Sequence, residues 1–313
     1  MIGVSIEEAL GPANGRYFAA GYRRVSHLVE ASGRRRPGHP LEAVGSVVYP
    51  QDWSTNPDGG VRVAHLSSVD AIVLPLVLLE QSDPVDFPGV LGNCWVQCVD
   101  LRSGSVPWLE LDRVPLAVEI DVYGHTLVVA AVVGNIRARL TLSTQNATGD
   151  ARRETEWPPP AGSTVYGGLY RNTVSRTLLT AYKATQQTLS AEHEFSGPAS
   201  DARTPGGLES VFWPALTAVD YLVTMGQLTQ VAIYESAQTG RSGAGNLWMR
   251  TMQLRLPSPP TRVPASLHTS TRLVRDRTVA GTGRQLHDVR VDSKASSGVT
   301  ARAALAYEEA RQP

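Results

Sequence analysis

Two aspartates occupy matching places in two similar segments of the chain, and they are the first candidates for chemistry. The segments HLSSVDAIVLPLVLLEQ, from His65, and WPALTAVDYLVTMGQLTQ, from Trp213, superpose Asp70 on Asp220 at an offset of 150 residues. A carboxylate whose pKa is raised by apolar surroundings could act as a general acid or base. At the end of a Ser/Thr-x-x-Asp box it could instead only accept hydrogen bonds from the first amides of a helix. The two roles are compatible, and the sequence leaves both open.

A histidine stands directly before the first of these boxes. His65 could assist the carboxylates, because histidine with an acid is a common proton-transfer pair. The alternative is an ordinary hydrogen-bonded histidine at a strand end, and we interpret His27 and His125 as structural. The seven histidines of the chain show no HxxxH or HExxH spacing, so the sequence predicts no metal site.

Backbone amides at the two predicted helix starts are a second catalytic device, since such N–H groups stabilise an oxyanion or enolate. Glycines near a site could also let the backbone approach a ligand, and a tryptophan before the second box could contact one. Ordinary turns and a core position are the alternatives. The candidate substrate-binding residues are Ser67, Ser68, Thr217, Trp213, Gly206 and Gly207.

Other common catalytic motifs are missing from the sequence. It contains no GxSxG, and GTGRQ at residues 281–285 lacks the GxGxxG spacing and lies between predicted strands. Cys94 and Cys98 are interpreted as small hydrophobic residues of a strand. We therefore expect neither covalent catalysis nor a dissociable cofactor.

Charge and hydropathy limit the possible partners and location. The 313 residues include 29 Lys+Arg and 29 Asp+Glu, so the formal net charge is zero, which disfavours a nucleic-acid-binding protein. The longest apolar stretches are about nine residues, roughly half of a membrane span. The N-terminal sequence lacks the basic and apolar regions of a secretion signal. We expect a cytoplasmic protein that contacts no membrane.

The elements that must position these residues form a repeat. A proline-rich linker at residues 151–164 separates a domain at 1–150 from a domain at 165–313. Each domain is predicted to contain extended segments, one long apolar helix, at about 66–81 and 216–234, and then a run of antiparallel strands. This order predicts an α+β fold, a tandem double hotdog in which each half curls an antiparallel sheet around one central helix. Two fused hotdogs already form a pseudo-dimer, so the chain could be a monomer or a homodimer.

The N-terminal segment LGPANGRYFAAGYRRVSH, at residues 10–27, with its Gly-Pro, Arg-Tyr-Phe and Gly-Tyr-Arg-Arg, resembles the opening of the AvrD family, and the match extends over most of the chain. The double-hotdog outline is also similar to butenolide synthases and polyketide dehydratase domains. WPALTAVDYL resembles the dehydratase motif His-Pro-x-Leu-Leu-Asp, but Trp213 replaces the histidine and Asp220 comes two positions late. This departure argues against simple dehydration.

The AvrD resemblance implies an enzyme that joins a β-ketoacyl thioester to a ketosugar or similar polyol and closes a syringolide-like lactone. The thioester would arrive on an acyl carrier protein or on coenzyme A. Asp70 and Asp220 would be the acid/base groups, because in hotdog enzymes an acid near the start of the central helix faces the acyl tunnel, and His65 would assist. One alternative is a hotdog dehydratase or thioesterase. Another is a non-catalytic acyl-binding or interaction module in which the aspartates are only caps.

Overall fold

The computed structural model describes residues 3–31, 39–55, 59–82, 91–144, 162–198, 205–238, 247–280 and 285–308. Most of the predicted linker, at residues 151–161, lies outside these ranges. The α-helices are α1 Ile6–Leu10, α2 Ser68–Gln81 and α3 Ala218–Ser236. The strands are β1 Val4–Ser5, β2 Ser26–Ala31, β3 Leu41–Val48, β4 Cys94–Arg102, β5 Val114–Tyr123, β6 Thr126–Val133, β7 Ile136–Thr144, β8 Val174–Lys183, β9 Thr188–Ser196, β10 Trp248–Arg255, β11 Ala265–Ala280, β12 Gln285–Ala295 and β13 Thr300–Glu308.

All of these strands belong to one antiparallel sheet, in the order β1-β8-β9-β11-β12-β13-β10-β4-β7-β6-β5-β3-β2. The first half, from β2 to β7, and the second, from β8 to β13, repeat one arrangement, and each long helix follows the second strand of its half. The halves meet where Cys98–Arg102 of β4 pairs with Thr251–Arg255 of β10. The α+β class, with one large antiparallel sheet and few helices, is therefore confirmed. The division at residue 150 stays a prediction, and β1 at the N-terminus pairs with β8 of the second half.

Both long helices begin at the boxes seen in the sequence. Ser67 caps α2 and Thr217 caps α3, and in each case the third helical residue, Asp70 or Asp220, returns a hydrogen bond to the cap. Each box satisfies backbone N–H groups that have no acceptor within the helix. The boxes therefore fix where each helix starts and bury an acid there.

Helix α2 has no polar face because it is buried on all sides in the core. Every residue from Val69 to Glu80 is buried, including Pro75 inside the helix. The helix packs against β2 to β7, while α3 packs against β9 and β11 and, through its C-terminal part, against α1. An apolar helix is stable only when it is covered on most sides, and the sheet provides this cover. Among the described residues, no helix is long and apolar enough to cross a membrane.

Two buried glutamates connect the halves. Glu80, near the end of α2, accepts hydrogen bonds from the Thr164 hydroxyl at 2.6 Å and the Leu208 amide at 3.0 Å. Glu209 accepts from the Val96 amide of β4 at 2.9 Å. A side chain at Gly207 would place its Cβ 2.5 Å from Glu80 Oε1, so this glycine allows the Glu80 carboxyl to reach the backbone. Each carboxyl group thus binds backbone from the other half.

Candidate functional site

A cavity of about 450 Å³ lies where α2, α3 and the middle of the sheet come together. Its volume is in the range of small-molecule sites. One part is polar and aromatic, and its lining includes Arg16, Tyr17, Trp53, His65, Ser67, Ser68 and Trp248. The rest is largely apolar and is lined by residues that include Leu222, Met225, Met252, Leu254, Ala301, Ala303 and Leu305. The cavity suits an elongated ligand with a polar head and an apolar chain.

The polar end of the cavity is built on the first turn of α2. The Ser67 hydroxyl accepts from the Asp70 amide at 3.2 Å, and Asp70 Oδ2 accepts from the Ser67 amide at 2.7 Å. The next two amides, of Ser68 and Val69, lie in the first turn, where no carbonyl of the helix can accept from them. The positive end of the helix dipole is therefore close to a ligand bound beside Ser67 and Ser68.

Asp70 is a buried carboxylate with strong partners directly behind this end. His27 Nε2 lies 2.7 Å from Oδ1, and the Tyr49 hydroxyl donates to Oδ2 at 2.5 Å. The side chains of His27 and Asp70 are 1% and 0% exposed. A buried carboxylate is tolerated only with such partners.

A residue from the second half sets the tautomer of His27. Arg171 Nη2 lies 3.3 Å from His27 Nδ1. Because an arginine can only donate, Nδ1 is the acceptor in this contact, and Nε2 carries the proton donated to Asp70. Arg171 is itself held by Tyr170, whose hydroxyl accepts from Nε at 3.3 Å. The second half therefore completes a hydrogen-bonded chain that begins in the first.

Two tyrosines connect Asp70 to the cavity. The hydroxyls of Tyr17 and Ser67 are 2.6 Å apart, and both residues line the cavity, whereas Tyr49 contacts Asp70. Burial, and then the nearby charge of Asp70, raises the pKa of Tyr17 and Tyr49 well above the ordinary value. Both phenols consequently stay protonated near neutral pH and are available to donate hydrogen bonds.

His65 lies at the same end, between two tryptophans. Its ring centroid is 5.9 Å from that of Trp53 and 5.2 Å from that of Trp248. Nδ1 lies 3.2 Å from the Val63 carbonyl, which can only accept, so Nδ1 is a donor, and in the neutral ring Nε2 has the lone pair. A histidine in this form can accept a proton.

The corresponding place in the second half is different. Asp220 is buried, and its side-chain hydrogen bonds within the described part of the chain come from the amide and hydroxyl of Thr217, each at 2.8 Å. Burial raises the pKa of Asp220 to about 6, although the Thr217 hydrogen bonds and the charge of Arg23 act in the opposite direction. Neither Asp220 nor Thr217 is among the residues that line the cavity.

The structure brings together only some of the predicted site residues. His65, Ser67 and Ser68 line the cavity, and Asp70 lies behind them. The other predicted residues lie away from it, with Trp213 half-buried against the core and the two glycines near Thr164 and Glu80. They are Thr217, Asp220, Trp213, Gly206 and Gly207. Among the described residues, no group of three His, Cys, Asp or Glu side chains is placed to hold a metal ion.

Sequence reasoning missed four members of the site, namely Tyr17, His27, Tyr49 and Arg171. The structure, and not the sequence, shows the inward position of His27, because Val25, His27 and Val29 are buried while the apolar Leu28 between them is exposed. A histidine at an inward position of an alternating strand must have a buried polar partner. The contact with Arg171 is 144 residues away in sequence, and no local pattern predicts it.

A repeated sheet with two buried, capped helices and a largely apolar cavity defines an α+β protein with a candidate ligand site built from both of its halves. The chain matches the family model described as Pseudomonas avirulence D protein (AvrD) over residues 2–309, and it belongs to the AvrD family. The resemblance noted in the sequence is thereby confirmed. Among curated proteins, none matches the chain.

Several solved structures resemble it more distantly. A conserved protein with hot dog fold from Alicyclobacillus acidocaldarius has a TM-score of 0.46 and 11% identity, covering 90% of this chain and 97% of that one. A putative thioesterase II from Thermobifida fusca has a TM-score of 0.44 and 12% identity, covering 95% and 98%. The dehydratase domain from the CurJ module of curacin polyketide synthase has a TM-score of 0.39 and 10% identity, covering 91% and 97%.

Proposed function

We propose that this AvrD-family protein is a tandem double-hotdog enzyme that condenses a β-ketoacyl thioester with a ketosugar or similar small polyol to form an acylated lactone. The observation that carries the proposal is the cavity, whose apolar part ends at His65, Ser67 and the first turn of α2. An acyl chain fits the apolar part, and its two carbonyl groups would then lie at the polar end. No dissociable cofactor is needed, because the thioester is already activated.

The first chemical step is removal of the proton between the two carbonyls. His65 Nε2 is the proposed base, and the amides of Ser68 and Val69 are the proposed donors to the enolate oxygen. The α-carbon then forms a carbon–carbon bond to the keto carbon of the acceptor, and the acceptor oxygen takes the proton that His65 had removed. Preorganised donors at the start of α2 favour the developing negative charge.

The second step closes the ring. A hydroxyl of the acceptor gives up its proton and attacks the thioester carbon, the new carbon–oxygen bond forms, and the carbon–sulfur bond breaks to release a thiolate, which takes a proton from water. We propose that Tyr17, Ser67 and Tyr49 carry the proton of this hydroxyl toward Asp70, because hydrogen bonds between their oxygens connect the cavity to the buried carboxylate. His27 and Arg171 keep Asp70 oriented as the final acceptor.

Product analysis tests the reaction. Purified protein is incubated with a β-ketoacyl thioester alone and with a panel of ketosugars and dihydroxyacetone phosphate, and the products are identified by mass spectrometry. We expect a mass equal to acyl chain plus acceptor, minus the thiol and any water. Loss of thioester without an acceptor adduct would replace condensation by hydrolysis. Intact thioester in every mixture would favour a non-catalytic acyl-binding module.

The proposed acyl position gives a second prediction. Ala301 on β13 lines the cavity and pairs with the buried Leu254. Ala301→Leu adds three carbons, which exclude about three methylenes of a long acyl chain at roughly 0.8 kcal/mol each. We expect kcat/KM for a ten-carbon β-ketoacyl thioester to fall roughly 10- to 100-fold, while a four-carbon substrate is unaffected.

The matched control is Ala304→Leu, which changes the opposite face of the same strand beside the exposed Arg290. This variant should accept both chain lengths like the wild type. Equal losses for short and long chains in Ala301→Leu would contradict the proposed acyl position.

A further inference from the structure

The outer face of the middle of the sheet is strongly basic. We use the name basic face for the surface formed by eight exposed cationic side chains. These side chains project from six strands, β4, β7, β10, β11, β12 and β13. They are Arg102, Arg137, Arg139, Arg255, Arg272, Arg290, Lys294 and Arg302. The residues between them along each strand are mostly buried or point to the cavity, as the alternation of a strand requires.

The strand registers place these cations side by side. Arg102 pairs directly with Arg137. A second row crosses all six strands, and its residues in order across the sheet are Arg139, Asp100, Gln253, Arg302, Asp292 and Arg272. Six neighbouring strands contribute, so the basic face is about 24 Å wide at about 4.8 Å per strand. Side chains from several of these strands surround shared depressions of the surface.

Local carboxylates do not neutralise the basic face. Asp100 accepts from Gln253 at 2.6 Å, and Asp292 lies 3.8 Å from Arg302. Within the described ranges, the Arg302 pair is the one salt bridge formed by a member of the basic face. Apart from Asp292, exposed acids of the sheet lie farther out, and they include Glu119 and Asp121 on β5 and Glu192 and Glu194 on β9. A chain of zero net charge therefore has a basic centre between acidic flanks.

The basic face extends to the opening of the cavity. Ser103, which follows Arg102, lines the cavity, and its amide donates to the carbonyl of Arg250 at 3.1 Å. Asn135, two residues before Arg137, and Arg250 are also part of the lining. A partner bound to the basic face would thus lie beside exposed residues of the cavity lining, such as Ser105 and Arg250.

We propose that the basic face is the docking surface for a small acidic carrier protein that delivers the β-ketoacyl thioester. The identity of the delivered thioester rests on the proposed function, whereas the location of the docking surface rests on the charge and position of the basic face. Its width favours a protein over coenzyme A, because the phosphates of one coenzyme contact only part of a surface 24 Å wide. Charge complementarity of this kind raises association rates and weakens as salt increases.

The test compares three thioesters that carry the same β-ketoacyl chain, on an acyl carrier protein, on coenzyme A and on uncharged N-acetylcysteamine. The variant combines Arg102→Gln, Arg137→Gln and Arg139→Gln. Its matched control combines Arg113→Gln, Arg176→Gln and Arg262→Gln, three exposed arginines outside the basic face. We expect kcat/KM for the carrier-bound substrate to fall about 10-fold or more in the first variant at low salt, with little change for the other two substrates. The control should match the wild type throughout.

Each other outcome has a defined meaning. An unchanged kcat/KM for the carrier-bound substrate would overturn the docking proposal and leave the proposed function intact. Equal losses with coenzyme A and the carrier protein would assign the basic face to coenzyme phosphates. If the wild type turns over no thioester, the proposed function fails, and surface plasmon resonance with the acyl carrier protein still tests docking. If the acyl carrier protein does not bind the wild type, or binds the Arg102, Arg137 and Arg139 variant equally well, the docking proposal would then be overturned.

Discussion

Asp70→Asn is expected to lower kcat for condensation by about 10²- to 10⁴-fold while the protein stays folded. Asparagine has the same size and still caps the helix through Ser67, but it cannot accept a proton. His27 can still donate to the amide oxygen, whereas the amide NH₂ would face the Tyr49 hydroxyl or the Ser67 amide. We therefore expect a loss of stability of roughly 1–3 kcal/mol. Steady-state kinetics with urea unfolding of the same samples separates the two effects.

Asp220→Asn is the matched control, because it changes the same position of the same capping box in the other half. Asp220 is hydrogen-bonded by Thr217 and lies outside the cavity lining. We expect near-normal kcat and a comparable, modest loss of stability. Full activity in Asp70→Asn would make the first box a cap alone and end the assignment of Asp70 as a proton acceptor. A large kcat loss only in Asp220→Asn would move the site to the second half.

The two aspartates have different hydrogen-bond partners because the two halves differ in sequence around them. Tyr22 with Arg23 and Tyr170 with Arg171 form the same pair in each half, since each arginine Nε donates to the preceding tyrosine hydroxyl. The same spacing aligns Ser175 with His27 and Gly197 with Tyr49. The second half therefore lacks the histidine and tyrosine that hold Asp70. Instead, it contributes Arg171 and much of the apolar cavity wall.

Local patterns in the sequence were sufficient for both long helices and most strands, but not for β2, Ser26–Ala31, which carries His27. The Ser67 and Thr217 boxes locate both long helices, because capping depends on residues three apart, and alternation of Val and Leu locates the strands. The site depends on pairs that are distant in sequence, such as His27 with Asp70 and Arg171 with His27. Only the folded sheet brings these side chains together. For the same reason, sequence could identify Asp70 as a candidate but could not rank it above Asp220.

The second large effect concerns stability rather than catalysis. Burial raises the pKa of Glu80 and of Glu209 to about 8, despite hydrogen bonds that act in the opposite direction. Above a pH of about 4.5 the unfolded chain has released these protons, while the folded protein keeps them until about pH 8. The folded state therefore binds more protons in this range, and the free energy of unfolding falls as pH rises. Above pH 8 this contribution levels off.

A histidine acts in the opposite direction at lower pH. His193 is buried, which lowers its pKa to about 4, so the unfolded state gains a proton below about pH 6.5 and stability is lost there. Between pH 6.5 and 8 the two glutamates dominate among the shifted groups. Their linkage predicts a decrease in the free energy of unfolding on the order of 3 kcal/mol across this interval. Urea unfolding at four pH values between 6.5 and 8 measures this decrease.

Replacing both acids should remove the decrease. Glu80→Gln with Glu209→Gln keeps the side-chain shapes and most hydrogen bonds but is neutral at every pH, so its unfolding free energy should be nearly constant from pH 6.5 to 8. The control Glu194→Gln changes an exposed acid and should keep the wild-type slope. A slope in the double variant equal to that of the wild type would show that other groups control the pH dependence. Because burial, and not the hydrogen bonds from the opposite half, raises the pKa of both acids, a flattened slope would show that the cost of ionising these two buried carboxyl groups controls stability in this range.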